Sequence, residues 1–402
     1  MSTDPTRTSH SPPRGASPTV PTTSMAFTEF IVKVHSRCNL ACTYCYVYEM
    51  ADQSWKAKPT RISDSIVRRS ASRIGEHAAA HQLPAVRVVL HGGEPLLVGA
   101  THLAFIAEQL REQVKPPTTL LISLQTNGVL LTPGLLDVLS AQQIGVSVSI
   151  DGAAADHDRY RRYRDGRGSY QAVTAGIDQL RSSPYRHLYR GLLSTINLRN
   201  DPIRTYEALS AFHPPRMDFL LPHGNWSEPP PGRPDDATTP YADWLCTIFD
   251  RWYDSPEPQP EIRIFAEIIQ LLLGGSSHGE MIGLSPATVV VVETDGTIEQ
   301  VDALKSAYEG APGTGYNVEH NDFDEVARHP AIRARQRGFD GLSDLCQQCR
   351  LSRVCGGGYY PHRYREATGF ANPSVYCADL QALIDHVRSR VATDLSRLRG
   401  GT

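Results

Sequence analysis

Three cysteines that could bind a metal lie within eight residues of one another, at Cys38, Cys42 and Cys45. Thiolates are the usual ligands of iron–sulfur clusters, and three on one short loop can bind three irons of a [4Fe–4S] cluster. The fourth iron would then have no protein ligand and could bind a substrate or a cofactor. This spacing therefore predicts a catalytic cluster rather than a simple electron carrier.

Two simpler interpretations of this loop stay open. The three thiols could bind zinc with His35 as the fourth ligand, or they could act as redox-active thiols. Short motifs of this kind also arise by chance, so the rest of the chain has to decide.

A second group of four cysteines lies near the C-terminus, at Cys346, Cys349, Cys355 and Cys377. Four thiolates complete the ligand set of a cluster and leave no iron open, so this site is expected to carry electrons or to have a structural role. A structural zinc site fits the same residues equally well. The remaining cysteine, Cys246, lies in an apolar stretch with helical character and is expected to be a buried, unreactive thiol.

Strand-like and helix-like segments alternate through the first half of the chain. Apolar stretches rich in β-branched residues occur near 27–34, 86–91, 119–125, 144–150, 189–196 and 216–221. Helical periodicity occupies intervening segments such as 63–82 and 169–180. This alternation predicts parallel βαβ units, in which reactive groups follow the C-terminal ends of the strands. The first three cysteines directly follow the first strand.

The composition divides the 402 residues into four predicted regions. Residues 1–26 are rich in Pro, Ser and Thr and are predicted to be a disordered tail. Residues 27–222 form the βα core, and residues 223–283 are a proline-rich linker followed by two helices. Residues 284–402 begin with a β-hairpin turning on Asp295-Gly296 and end in a helix near 378–398.

The bulk properties exclude several classes of protein. A net charge of −3 without Lys/Arg-rich runs argues against a nucleic-acid partner, including a zinc-ribbon binder. No apolar stretch is long enough to span a membrane, and the N-terminus has no apolar signal core. Because the cysteines are clustered as metal ligands would be, we expect a reducing compartment, the cytoplasm.

Polar turns also follow the second, third and fourth predicted strands. They read HGGEP at 91–95, QTNG at 125–128 and SIDG at 149–152. Glycine lets backbone approach a ligand closely, and a carboxylate such as Glu94 can bind an ammonium group. Each segment could equally be an ordinary strand-end turn.

The C-x3-C-x2-C run with Tyr44 before its last cysteine resembles the signature of the radical S-adenosylmethionine (SAM) enzymes. The resemblance implies an α/β fold, a partial (β/α)6 TIM-like radical SAM barrel. It also implies that the open iron binds SAM and that one electron splits SAM into methionine and a 5′-deoxyadenosyl radical, which abstracts hydrogen from the substrate.

The same resemblance assigns the SAM contacts. The GGE segment, with Glu94, would meet the methionine moiety, Ser149 the ribose and Thr195 the adenine side. Arg161, with Arg162 as the fallback, would bind the carboxylate. The full set of expected cofactor-binding residues is Tyr44, His91, Gly92, Gly93, Glu94, Asn127, Ser149, Asp151, Arg161 and Thr195.

The second cysteine group resembles the end of the SPASM domain, a C-terminal Fe–S extension of many peptide-modifying radical SAM enzymes. There this set binds the second auxiliary cluster. Domains with two auxiliary clusters have further cysteines around the hairpin and shortly after the third cysteine. Here residues 284–302 contain none, and the position four residues past Cys355 is Tyr359. The resemblance thus predicts one auxiliary [4Fe–4S] cluster and free space where the other would lie.

The segments DFLLPHGNW, ETDGTIEQVDALKSAY and CGGGYYPHRYREATGFANPSVYCADL resemble the cyclophane-forming, FxsB-like branch of SPASM peptide maturases. This implies a short precursor peptide as substrate, a C–C crosslink from an aromatic ring to a Cβ, and an external electron donor such as flavodoxin or ferredoxin. The reaction also needs a base, and five residues are candidates: His223, Glu228, Glu293, Asp295 and Asp302.

Other functions stay open at this stage. A related enzyme could form a thioether crosslink in a peptide, or formylglycine on a sulfatase. A protein of another class would be a non-catalytic, metal-binding scaffold. Release of 5′-deoxyadenosine by the reduced protein distinguishes the enzymes from the scaffold.

Overall fold

The computed structural model describes residues 25–233, 238–277 and 279–400. The predicted tail of residues 1–26 lies outside these ranges except for its last two residues. The ten strands are β1 (Glu29–His35), β2 (Ala85–Gly92), β3 (Thr119–Thr126), β4 (Gly145–Ser149), β5 (Tyr189–Thr195), β6 (Arg216–Leu220), β7 (Glu261–Ile262), β8 (Val289–Val292), β9 (Thr297–Glu299) and β10 (Gly313–Asn317).

Thirteen α-helices accompany these strands within the described ranges. They are α1 (Asp64–Ala80), α2 (Ala100–Gln113), α3 (Pro133–Ala141), α4 (Ala154–His157), α5 (Tyr170–Arg181), α6 (Pro202–Ser210), α7 (Pro240–Tyr253), α8 (Arg263–Leu272), α9 (Phe323–Ala327), α10 (Pro330–Arg335), α11 (Asp344–Gln347), α12 (Ser352–Cys355) and α13 (Cys377–Gly400). None of the helices that the structure describes combines the length and the apolar character needed to cross a bilayer.

The six predicted strands form the centre of the sheet. Strands β1 to β6 are neighbours in chain order, and each pairs with the next in parallel. Their buried side chains are mainly Val, Leu and Ile, as expected for parallel strands covered by helices. The predicted α/β fold with a partial barrel is therefore confirmed. Parallel pairing brings the C-terminal ends of all six strands to one edge, where the cysteine loop begins after His35.

The C-terminal region adds strands to the same sheet. Strand β8 pairs in parallel with β1, with Glu29 opposite Val289. Strands β8 and β9 form the predicted antiparallel hairpin, and Gly296 in its turn has a φ of 80°, in the left-handed region that favours glycine. The hairpin therefore lies directly beside the strand that precedes the first cysteines. The sheet runs continuously across the predicted boundary at residue 284.

The proline-rich segment from Pro222 to Arg233 forms hydrogen bonds with the C-terminal region. The Asn225 side-chain amide donates to the Ser306 carbonyl at 2.8 Å, and the Trp226 indole donates to the Pro373 carbonyl at 2.8 Å. Helix α13 packs against α7 and α8. These contacts hold the segment over the edge of the barrel where the cysteine loop lies.

Candidate active site

The first cysteine group lines a deep cavity at the C-terminal edge of the barrel. Cys38, Cys42 and Cys45 all contribute to its wall, and its volume is about 830 Å³. Burial raises the pKa of Cys38 to about 12 and that of Cys45 to about 11. The thiols therefore hold their protons until a metal displaces them.

Two glycines of the 91–95 turn lie where the neighbouring residues leave no room for a Cβ atom. A Cβ on Gly93 would lie 1.9 Å from the Tyr48 hydroxyl oxygen, and one on Gly92 would lie 2.1 Å from the His35 carbonyl oxygen. The Gly93 N–H also donates to that His35 carbonyl at 2.8 Å. Both glycines line the cavity. They allow the cysteine loop to lie directly against the end of β2.

A buried polar network joins the loop to the ends of β4 and β5. The Tyr44 hydroxyl donates to the Asp151 carboxylate, whose other oxygen accepts the Thr195 N–H at 3.0 Å. Arg161 donates to the Tyr44 hydroxyl oxygen at 2.8 Å. Burial raises the pKa of Asp151, and the Arg161 charge opposes that rise. The network brings together four of the predicted cofactor-binding residues.

Arg161 provides a test of whether an anionic cofactor fits. Its side chain is buried and lines the cavity, yet its Nε has no hydrogen-bond partner in the described part of the chain. An unsatisfied buried donor is costly, and a carboxylate in the cavity would satisfy it. The residues present therefore fit the carboxylate of SAM.

The remaining predicted contacts lie around the same cavity, with one exception. His91, Asn127 and Ser149 all line it. Burial lowers the pKa of His91 to about 4 and keeps its imidazole neutral. The Asn127 amide lies 3.7 Å from the Cys38 sulfur, and the Ser149 hydroxyl accepts from Gln125, which sequence reasoning did not single out.

Glu94 is the exception, because it lies beneath the cavity and is not part of its wall. Its carboxylate is 1% exposed. It accepts hydrogen bonds from the Leu96 N–H at 2.9 Å, the Thr126 hydroxyl at 2.7 Å and the Asn127 N–H at 2.8 Å. About four acceptor positions exist on a carboxylate, so one is left for a ligand. The contact between Glu94 and SAM stays a prediction.

We expect Glu94→Ala to weaken SAM binding by about tenfold or more without removing iron. The change leaves two buried N–H groups at the end of β2 and β3 without their acceptor, and charge-assisted hydrogen bonds contribute about 1.5–3 kcal/mol each. Anaerobic equilibrium dialysis with SAM, together with iron analysis, measures both quantities. The matched control is Glu112→Ala on the exposed face of α2. SAM affinity equal to that of the control would contradict the prediction.

The spacing of the cysteine sulfurs bears on the zinc interpretation. Four thiolates around one zinc, at about 2.3 Å each, lie about 3.8 Å apart. Among the described residues, the groups of three or more ligand atoms lying within 4.8 Å of one another contain no cysteine. The described sulfurs are therefore not arranged as a preformed four-thiolate zinc site, and the choice between zinc and an iron–sulfur cluster stays a prediction.

One of the closely spaced groups consists of His77, His81 and Asp324. The His77 Nε2 accepts the Phe27 N–H at 3.1 Å, so a neutral His77 carries its proton on Nδ1, which faces Asp324 at 3.0 Å. A metal at Nδ1 would need that nitrogen unprotonated. The His81 Nε2 forms the hydrogen bond to Asp324, at 2.7 Å, so the group links the end of α1 to α9.

The second cysteine group is brought together by α11, α12 and the start of α13. Burial, with the nearby sulfurs of Cys346 and Cys377, raises the pKa of Cys355 to about 12. The three glycines at 356–358 have φ values of 61°, 76° and 70°. They turn the chain back so that the Arg363 guanidinium donates to the carbonyls of Gly356 and Gly358. These segments thus bring Cys346 and Cys377 close enough to Cys355 to affect its pKa.

A group of buried charges lies beside the hairpin, and the free space expected in place of a second auxiliary cluster stays a prediction. The Lys305 ammonium, 1% exposed, lies 3.1 Å from Glu299 and 3.5 Å from both Asp52 and Glu293. Asp52 ends the cysteine loop, and the two glutamates belong to the hairpin. The ion pairs therefore join the hairpin to the loop, and no local sequence pattern marks them.

This charged cluster also contains most of the predicted bases. Asp302 pairs with Lys33 at 2.5 Å, Asp295 with Lys58 at 3.1 Å, and Glu293 with Lys305. None of these three carboxylates lines the cavity. Two other predicted bases do, His223 and Glu228.

Comparison with known proteins agrees with this geometry. Residues 32–202 match the sequence model of the Radical SAM superfamily. The chain is 28% identical to a serine-type anaerobic sulfatase-maturating enzyme of Bacteroides thetaiotaomicron, over 87% of this chain and 86% of the relative. It is 21% identical to a cysteine-type anaerobic sulfatase-maturating enzyme of Clostridium novyi, over 87% of this chain and 92% of that protein.

Two solved structures share the fold. Native anSMEcpe with bound AdoMet and Cp18Cys peptide superposes with a TM-score of 0.78 at 21% identity, covering 92% of this chain and 99% of the other. Streptococcus suis SuiB bound to its precursor peptide SuiA superposes with a TM-score of 0.57 at 14% identity, covering 88% and 76%. At these identities the likeness concerns the fold.

Proposed function

We propose that this chain is a radical SAM enzyme that modifies a ribosomally made precursor peptide and forms a C–C crosslink between an aromatic ring and a Cβ. Its cofactors are SAM and a [4Fe–4S] cluster, for which Cys38, Cys42 and Cys45 are the ligands in this proposal. When bound, these groups supply the 5′-deoxyadenosyl radical that abstracts hydrogen from the substrate.

The proposal rests on the observation that the first cysteine group and the proline-rich segment line the same large cavity. The three cysteines and Arg161 line one part, and His223, Glu228 and Pro229 of the proline-rich segment line another. A volume of about 830 Å³ is at the upper end of sites for small ligands. It therefore leaves room for peptide side chains beside a cofactor held by Arg161.

The cavity wall also suits an aromatic substrate residue. Tyr46, Tyr160 and Tyr241 contribute rings to it, together with the imidazole of His223. Aromatic pairs gain about 0.5–1.5 kcal/mol beyond their area burial when they pack edge to face or offset. A substrate ring held in this way would stay close to the carbon radical that attacks it.

We propose that the second cysteine group binds one auxiliary [4Fe–4S] cluster. Its cysteines lie on neighbouring segments and affect one another's pKa, and residues 284–302 contain no further cysteine. An external flavodoxin or ferredoxin would supply the electron for SAM cleavage.

A second candidate function is formylglycine formation on a sulfatase. It is favoured by the similarity, over most of the chain, to a relative named as a sulfatase-maturating enzyme. The two candidates differ in substrate, because formylglycine formation needs a serine or cysteine and a C–C crosslink does not.

Mass spectrometry of co-expressed substrate tests the proposal. We expect the short peptide encoded beside the gene to lose two hydrogens per crosslink, with fragmentation suppressed between the linked residues. Cys42→Ala is the matched control and should leave the peptide unchanged. Modification confined to a serine or cysteine of a sulfatase peptide would contradict the crosslink and support the second candidate.

A further inference from the structure

His223 lies where the substrate and the cofactor would meet. It follows β6 by three residues, at the C-terminal edge of the barrel, and lines the same cavity as the first three cysteines. Its ring packs edge to face on Tyr46, with ring centres 4.6 Å apart. Tyr359 and His362 lie on the C-terminal side, at 6.3 Å and 5.8 Å. Aromatic neighbours from the cysteine loop and from the C-terminal region therefore fix the orientation of this imidazole.

The imidazole of His223 is able to accept a proton. Its Nδ1 is buried and has no hydrogen-bond partner within the ranges that the structure describes. Burial lowers the pKa of His223 to about 4, while the negative charge of Asp302 partly opposes the shift. The side chain is therefore neutral near pH 7, so one of its two ring nitrogens carries a free lone pair.

The carboxylates that could compete with His223 are engaged or distant. Asp302 and Glu293 are held by buried lysines and do not line the cavity. Asp295 is bound by Lys58, and Glu228 is exposed to solvent. Of the predicted bases, only His223 and Glu228 line the cavity, and of these two only His223 has a buried side-chain atom without a partner in the described residues.

We propose that His223 is the residue that accepts the proton lost by the substrate ring when the crosslink is completed. This assignment rests on the proposed function. After the Cβ radical adds to the ring, the C–H bond at the attacked ring carbon breaks. The proton goes to the free ring nitrogen of His223. The remaining electron goes to a one-electron acceptor of the iron–sulfur class, and the ring regains aromaticity.

The stoichiometry of the reaction predicts how loss of the His223 imidazole would change the products. One SAM and one substrate with two C–H bonds give methionine, 5′-deoxyadenosine, one C–C bond and one proton. Hydrogen abstraction precedes the step assigned to His223. Loss of this imidazole should therefore leave 5′-deoxyadenosine formation intact and lower the crosslink yield.

His223→Phe, which keeps a ring of similar shape, separates these two steps in the holoenzyme. We expect the ratio of crosslinked peptide to 5′-deoxyadenosine to fall about 100-fold, within the usual contribution of general bases. A substrate-derived radical should accumulate in freeze-quenched samples examined by EPR. His320→Phe, at an exposed position, is the matched control and should keep the wild-type ratio. A normal ratio in His223→Phe, or an equal fall in His320→Phe, would overturn the assignment.

A second measurement does not depend on the crosslink. Neutral imidazoles react with diethyl pyrocarbonate, and the modified residue is mapped by mass spectrometry. We expect SAM and the precursor peptide together to protect His223 in the oxidised holoenzyme, while exposed His213 continues to react. Absence of a crosslink in peptide treated with the wild-type enzyme would contradict the proposed function. Equal modification of His223 with and without peptide would contradict the place of His223 beside the substrate.

Discussion

The variant in which Cys38, Cys42 and Cys45 are all replaced by alanine is expected to hold about four irons per chain and to release no 5′-deoxyadenosine, since only one cluster of four irons can still bind. The wild-type enzyme should hold about eight irons per chain on the same reasoning. In the proposed function the cavity thiols bind the cluster whose open iron holds SAM, so the expected loss of cleavage is complete. Anaerobic iron and sulfide analysis, followed by chromatography of the dithionite-reduced protein with SAM, measures both effects.

The reverse variant provides the control. Replacing Cys346, Cys349, Cys355 and Cys377 by alanine should also leave about four irons per chain, but SAM cleavage should persist because the cavity is intact. Cys246→Ala, in α7, should keep both clusters. About twelve irons in the wild type would contradict the single auxiliary cluster. Zinc at the first site, or a cluster whose spectrum ignores added SAM, would contradict the radical SAM assignment of these residues.

The parts of the fold that depend on local sequence could be predicted closely. The first strand was expected near 27–34 and is β1, and the helix expected over 63–82 is α1. Both follow from short-range periodicity. Because parallel strands end at one edge, the turns after them could be placed together before any coordinates were known. The resemblance to the radical SAM enzymes then assigned Asp151 and Arg161 to that site.

The parts that depend on distant pairs were missed. The ion pair of Lys305 with Asp52 joins residues 253 positions apart, and no periodicity encodes such a pair. The parallel pairing of β8 with β1 was missed for the same reason. Short elements such as β10 and α11 carry too few residues for a periodic signal. The internal hydrogen bonds of Glu94 depend on how two strand ends meet, which sequence alone does not specify.

Lys305→Met is expected to destabilise the protein by about 3–5 kcal/mol, the usual cost of breaking a buried ion pair by removing one partner. Methionine has a similar length, so the change mainly removes charge. The carboxylates of Asp52, Glu293 and Glu299 would then stay buried without their cation. Anaerobic urea unfolding of the holoenzyme measures the effect. Lys115→Met, at an exposed position, is the matched control and should change little.

The pH dependence of this loss identifies its cause. Burial and the neighbouring Glu293 already raise the pKa of Glu299, and removal of the Lys305 charge should raise it further. A carboxyl whose pKa is higher in the folded state stabilises the fold at low pH, and this contribution is lost as the pH rises through that pKa. The deficit of Lys305→Met should therefore be larger at pH 8 than at pH 6. Adding Glu299→Gln should recover part of it, because one buried charge is removed. A deficit independent of pH, and unrelieved by that second change, would show that Lys305 acts through packing and not as the cation that joins the hairpin to the cysteine loop.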